Sequence, residues 1–245
     1  LHMKFLRIQL FCSLLCLGTT SQALNAQRIS PATDAISVLN GAGDSLTAAF
    51  GGGLNAPQFS TLELDGDDQE ELLVFDRSTN LAMIFKRDAQ GRWMPDLSLS
   101  QALPLTKLDA WVLARDVNCD GRKDLLTNNN SAIRVFARQP GGGQPRFSLL
   151  YDRVLSDYGG FVTELYSAAS DIPGVLDADG DGDLDLFTWE SARGELLLLH
   201  RNVAMERLGR CDTLLMENTQ DCWGDFRETF DPADNSYSVE LDACG

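Results

Sequence analysis

The chain has 245 residues, 44% of them hydrophobic, and carries a formal net charge of −16. That length suits one large or two ordinary domains, and that apolar share excludes global disorder. The acidity argues against a nucleic-acid partner, which needs clustered Lys and Arg, and against a polybasic membrane-surface role.

Residues 1–26 read as a signal peptide for export. Lys4 and Arg7 supply a short positive region. Leu10–Gly18 (LFCSLLCLG) is apolar but too short for an ordinary membrane span, and cleavage is expected after Ala23 or Ala26. The mature chain is then expected to be secreted or held at the cell surface, with no membrane span. Cleavage leaves Cys119, Cys211, Cys222 and Cys244. An even number in an exported chain suits two disulfides and leaves three connectivities open. Cys211 and Cys222, close in sequence around a polar stretch, are the preferred pair. None of the four has CxxC spacing, which disfavours zinc.

Residues 27–245 read as one all-β region. The glycine-rich Gly51–Pro57 (GGGLNAP) reads as a loop between strands. A first acidic loop, ELDGDDQEE from Glu63, runs into the apolar LLVF, a turn at RSTN and a second apolar run, LAMIFKR. A second loop, DVNCDGRKD from Asp116, follows the short apolar run AWVLARD and opens into LLTN and IRVFAR. PGGGQP (Pro140–Pro145) is a further loop and FSLLYD a further strand. A third acidic loop, DADGDGDLD from Asp177, opens into LFTW and, past a turn, ELLLLHR. Each unit of about 55 residues thus holds a loop, a hairpin and one or two more strands, the content of a four-stranded propeller blade. The fold expected is a partial β-propeller of three to four blades of antiparallel strands. By the spacing a fourth loop belongs near residues 230–240, where FDPADNSYSVELDACG has acids but not the register. The chain is therefore expected to be an N-terminal fragment, or a partial propeller whose exposed edge strands invite pairing.

The three loops share one register. Positions 1, 3, 5 and 9 are Glu63, Asp65, Asp67 and Glu71 in loop one. They are Asp116, Asn118, Asp120 and Asp124 in loop two, and Asp177, Asp179, Asp181 and Asp185 in loop three. Acids at alternate positions of a tight turn converge on one point, the oxygen-rich arrangement that Ca²⁺ takes. Gly at position 6 (Gly121, Gly182) permits the positive φ of the turn, and loop one has Asp68 there. Position 7 would add a backbone carbonyl, from Gln69, Arg122 or Asp183. An EF-hand requires Glu at position 12 and a following helix, whereas these loops have Val74, Thr127 and Thr188 and then a hairpin. Two to three Ca²⁺ ions are expected, with a structural role.

On these loops and the hairpins they open, the chain resembles the FG-GAP/VCBS-type repeat proteins, the family of integrin-α-like calcium-binding propellers. The resemblance covers roughly residues 50–200 and rests on the D-x-[DN]-x-[DN]-G-x-x-D pattern. LLVFDRSTN and RDVNCDGRKDLLT in particular are similar to secreted VCBS-repeat proteins of Bacteroidetes. The resemblance implies calcium in the loops and a cell-surface binding or adhesion role toward an extracellular protein or polysaccharide, with further blades of a longer protein as a possible partner. Loop one departs from the pattern at Glu63, Asp68 and Glu71.

No GxSxG, HExxH or Walker motif is present. After Met3 the one histidine is His200, expected at a strand edge in a structural role. The dense carboxylates are better explained by calcium than by glycoside hydrolysis. The propeller part of a carbohydrate-active enzyme, a lyase or hydrolase, is the alternative of another class. Trp111 and Trp189 read as core, and Trp223, in DCWGDF, as the best candidate contact residue.

Overall fold

A computed structural model of the chain describes residues 38–46, 52–141 and 144–244. The expected signal peptide lies outside the described residues. Two four-stranded antiparallel meanders come first in the chain. One runs β1 (Pro57–Leu62), β2 (Glu71–Asp76), β3 (Leu81–Arg87) and β4 (Trp93–Asp96). The other runs β5 (Val112–Arg115), β6 (Asp124–Asn128), β7 (Ile133–Arg138) and β8 (Phe147–Tyr151). Two short strands follow, β9 (Leu155–Asp157) and β10 (Val162–Glu164). Then come β11 (Gly174–Leu176), β12 (Asp185–Trp189), β13 (Leu197–Asn202) and β14 (Met216–Gln220). These last four form a third meander, and β9 joins its β14 edge in parallel, giving a six-stranded sheet of order β10-β9-β14-β13-β12-β11. A separate hairpin, β15 (Phe226–Asp231) and β16 (Ser236–Leu241), occupies the region where a fourth acidic loop was expected. The helices α1 (Leu97–Ala102) and α2 (Ala204–Leu208) are short. The chain is thus all-β, with several mainly antiparallel sheets, and no sheet among the described residues closes into a barrel.

In the middle sheet β5, β6 and β7 are largely buried on both faces, which explains why they read as apolar runs rather than as alternation, whereas the edge strand β8 is exposed at Ser148, Leu149 and Leu150. Adjacent residues of a strand point to opposite faces. Leu125 of β6, with Val112 and Ala114 of β5, packs with Leu73, Phe75 and Ile84 of the first sheet. Leu126, with Trp111, Leu113 and Val135, packs with Val175 and Leu186 of the third. Leu125 and Leu126 are both fully buried, each worth about 1.5–3 kcal/mol of apolar transfer. Polar links follow the same stacking. Arg77, after β2, donates to the carbonyls of Ala110, Ala169 and Ser170, and Arg115, at the end of β5, to Val175 O.

Two expectations are corrected. The cysteines that approach to disulfide distance are Cys119 with Cys211 and Cys222 with Cys244, at Cα separations of 5.8 and 6.0 Å. Cys211–Cys222 is not the pair. Loop two lies against loop three, where the Cys119 sulfur also faces Gly182 O, so nearness in sequence was the wrong guide. His200 is not at a strand edge. It sits on β13, between β12 and β14, fully buried and held between Ser156 Oγ and Thr188 Oγ1.

Candidate metal centre

Each acidic loop connects the first and second strands of a meander, and the three share a backbone as well as a register. Position 4 takes positive φ in all of them (Gly66 +87°, Cys119 +55°, Gly180 +83°), as does position 6 (Asp68 +62°, Gly121 +81°, Gly182 +100°). A side chain at these glycines would meet no atom within 4 Å, so backbone conformation rather than space selects glycine there. The position-1 carboxylate closes each turn. Asp177 accepts from Gly180 N at 2.6 Å and Gly182 N at 3.1 Å. Asp116 accepts from Asp120 N and Gly121 N, and Glu63 from Gly66 N.

The position-9 acids Glu71, Asp124 and Asp185 begin β2, β6 and β12 and are all buried. Each accepts the N–H of position 2 of its own loop: Leu64 at 2.7 Å, Val117 at 3.2 Å and Ala178 at 2.8 Å. In the second and third sheets the other oxygen takes an N–H of the third strand, Arg138 at 2.8 Å and Asn202 at 2.9 Å. Burial pushes Glu71 up to about 7 and Asp124 up to about 6, and raises Asp185 as well. Buried carboxylates pushed upward in this way are what a divalent cation would bring back down.

The loops differ in what fills them. In loop three, oxygens of Asp177, Asp179 and Asp185 lie within 4.8 Å of one another, as do oxygens of Asp179, Asp181 and Glu206. Asp181 Oδ2 and Asp183 Oδ1 are buried without a hydrogen-bond partner among the described residues. Asp183 is itself buried, with its other oxygen accepting Met205 N at 3.1 Å and its carboxyl pushed up to about 6 by that burial. Among the described residues the cation paired with these acids is Arg201, shared between Asp179 and Glu206. This donor set suits a hard cation, and loop three is an acidic cluster that can hold one.

Loop one also gathers Glu63, Asp65 and Glu71 within 4.8 Å. Lys86 of β3, however, reaches both Asp65 and Asp67, and Arg138 of β7 lies 3.0 Å from Glu63. Gln69 donates its N–H to Asp67 Oδ1 at 2.9 Å. Loop two holds its acids apart. Asp116 and Asn118 are spent on backbone N–H groups, and Asp120 pairs with Arg122 at 2.5 Å. Asp116, Asp120 and Asp124 are not gathered as the acids of the other two loops are.

Glu206, Lys86 and Arg201 were not found from the sequence. Lys86 and Arg201 follow from strand register. Leu72 faces Phe85 and Leu186 faces His200, so one step on, Lys86 lies opposite Glu71 and Arg201 opposite Asp185.

The apolar side of the third sheet that faces away from the second carries a cleft of about 400 Å³ beside Asp177, lined by Ile172, Leu176, Phe187, Trp189 and Trp223. Trp223 is 40% exposed and stands edge-on to Phe187 at 4.9 Å. Trp111 is core, as expected, whereas Trp189 lines this cleft. Among the described residues no helix is long and apolar enough to cross a membrane.

No protein-family model matches the chain, and no curated protein or solved structure matches it either.

Proposed function

We propose that the chain is an exported binding module of the FG-GAP/VCBS propeller type, in which each meander is a blade and Ca²⁺ is a structural ion. The observation that carries this reading is loop three. Its carboxylates converge from a tight turn and from α2, and two of their buried oxygens have no donor among the described residues. Three meanders of the same strand order stacked face to face, with the same left-handed positions in each connecting loop, support the repeat. Two disulfide-distance pairs suit an oxidising exterior.

In this reading Asp177, Asp179, Asp181 and Asp185 hold the ion, with the carbonyl of Asp183. The ion would cancel their repulsion, so that metal binding free energy becomes folding free energy. Extracellular calcium modules bind with Kd of about 10⁻⁴ to 10⁻³ M, which suits such a role. The partner is an extracellular protein or polysaccharide, and the Trp189–Trp223 cleft is the surface on which a sugar ring would stack. Thermal melts in EDTA and in millimolar Ca²⁺ test the reading. EDTA is expected to lower Tm, and Asp179→Ala with Asp181→Ala to remove most of the calcium effect. A melting curve indifferent to EDTA would overturn it.

A further inference from the structure

We infer that loop one is a closed cation site in which the Lys86 ammonium stands where the metal would be, so that the first sheet is independent of calcium. The inference rests on the calcium reading of the loop register. Lys86 Nζ donates to Asp65 Oδ2 and to Asp67 Oδ2, the latter at 2.8 Å, so one ammonium spans positions 3 and 5. Position 1 is taken separately. Arg138 Nη1 lies 3.0 Å from Glu63 Oε2 and also donates to Glu63 O, while Nη2 donates to Leu64 O at 2.7 Å. The acids at positions 1, 3 and 5 therefore each have a protein cation. The Arg138 side chain is 7% exposed, which makes that pairing part of the packing between the first two sheets.

Loop three has the equivalent base but a different balance. Arg201 also faces its position-9 acid across the sheet, but Glu206 of α2 competes for it at 2.7 Å. Asp177, Asp181 and Asp185 are left with no basic partner among the described residues, and Asp183 adds a further buried carboxylate. In loop one the buried Glu71 likewise has no ion-pair partner among the described residues, and Asp65 Oδ1 is buried without a donor, so the surplus is smaller than in loop three. A divalent ion would have to expel Lys86 to gain Asp65 and Asp67. An amine on a flexible stem also costs less to desolvate within the pair of carboxylates than a bare divalent ion does. The departures of loop one from the calcium pattern, Asp68 and the two longer glutamates, then fall in a loop that has no metal to coordinate.

The experiment counts bound Ca²⁺ on the full chain by native mass spectrometry and calorimetric titration, with Tm read alongside. Asp65→Asn with Asp67→Asn is expected to leave the count unchanged, and Lys86→Met to raise it by one. A count lowered by the first variant, or unchanged by Lys86→Met, would overturn the inference. Circular dichroism in calcium-free buffer shows whether Lys86→Met folds; if it does not, the Asn pair alone decides. The proposed calcium role of loop three is judged by a different variant, Asp179→Ala with Asp181→Ala, so either idea can fail without the other.

Discussion

Asp124 offers a test of the buried position-9 acid that needs no metal. It is fully buried at the start of β6, and its two oxygens accept the N–H groups of Arg138 and Val117. Burial, with the charges of Asp120 and Asp116 adding, pushes its carboxyl from the ordinary 3.8 up to about 6, against the pull of those two donors. The folded chain therefore keeps a proton that the unfolded chain releases. Its contribution to stability is present below 3.8 and is lost as pH rises through about 6. At about 1.36 kcal/mol per unit, the displacement is worth about 3 kcal/mol, of which about 2 kcal/mol falls between pH of about 4.5 and about 8. Asp124→Asn retains shape and an acceptor but cannot ionise. Urea denaturation in EDTA, followed by tryptophan fluorescence, should show the variant gaining about 2 kcal/mol on the wild type across that range. Subtracting the two curves removes the titrating groups that do not interact with Asp124. Parallel curves, or a variant that loses ground as pH rises, would refute the reasoning.

Two further outcomes are expected. Burial lowers His200 from 6.5 to about 4, although Asp221 pulls the other way. Its contribution is full above 6.5 and lost as pH falls through about 4, so NMR should find the imidazole neutral down to pH of about 4.5; a folded-state midpoint near 6.5 would contradict this. Asp68→Gly should raise stability by about 0.5–1 kcal/mol, because a left-handed backbone costs a side chain about 1–2 kcal/mol and glycine's extra unfolded-state freedom returns part of that gain. A lower Tm for Asp68→Gly would show that the loop does not hold Asp68 in that conformation.

The sequence showed what is encoded locally. Each acidic turn and the hairpin it opens depend on neighbours within about a dozen residues, which spacing reports directly. The left-handed position 6 was legible where it is glycine, but position 4 was hidden because Cys119 occupies it in loop two. Contacts set by register and stacking were not legible. Nothing near Glu71 announces Lys86, and nothing near Asp181 announces Glu206. The Cys119–Cys211 pairing depends on loops two and three lying side by side. The parallel addition of β9 to β14 has no local signature at all, since Met216 and Ser156 meet only because the third sheet has a free edge there.

The Cys119–Cys211 link has a mechanical meaning. It joins residues 92 apart, so a load drawn along the chain passes from one sulfur to the other and bypasses everything between. That loop contains β6 to β13 and α2, roughly 300 Å of extended contour at about 3.3–3.6 Å per residue. Pulling can peel the flanking strands but cannot pay out this length while the bond holds. The loop-three turn lies inside the protected segment, so its carboxylates stay gathered under tension, whereas the loop-one turn lies outside it and depends on its own contacts with Lys86, Arg138 and the backbone N–H groups of Gly66 and Leu64.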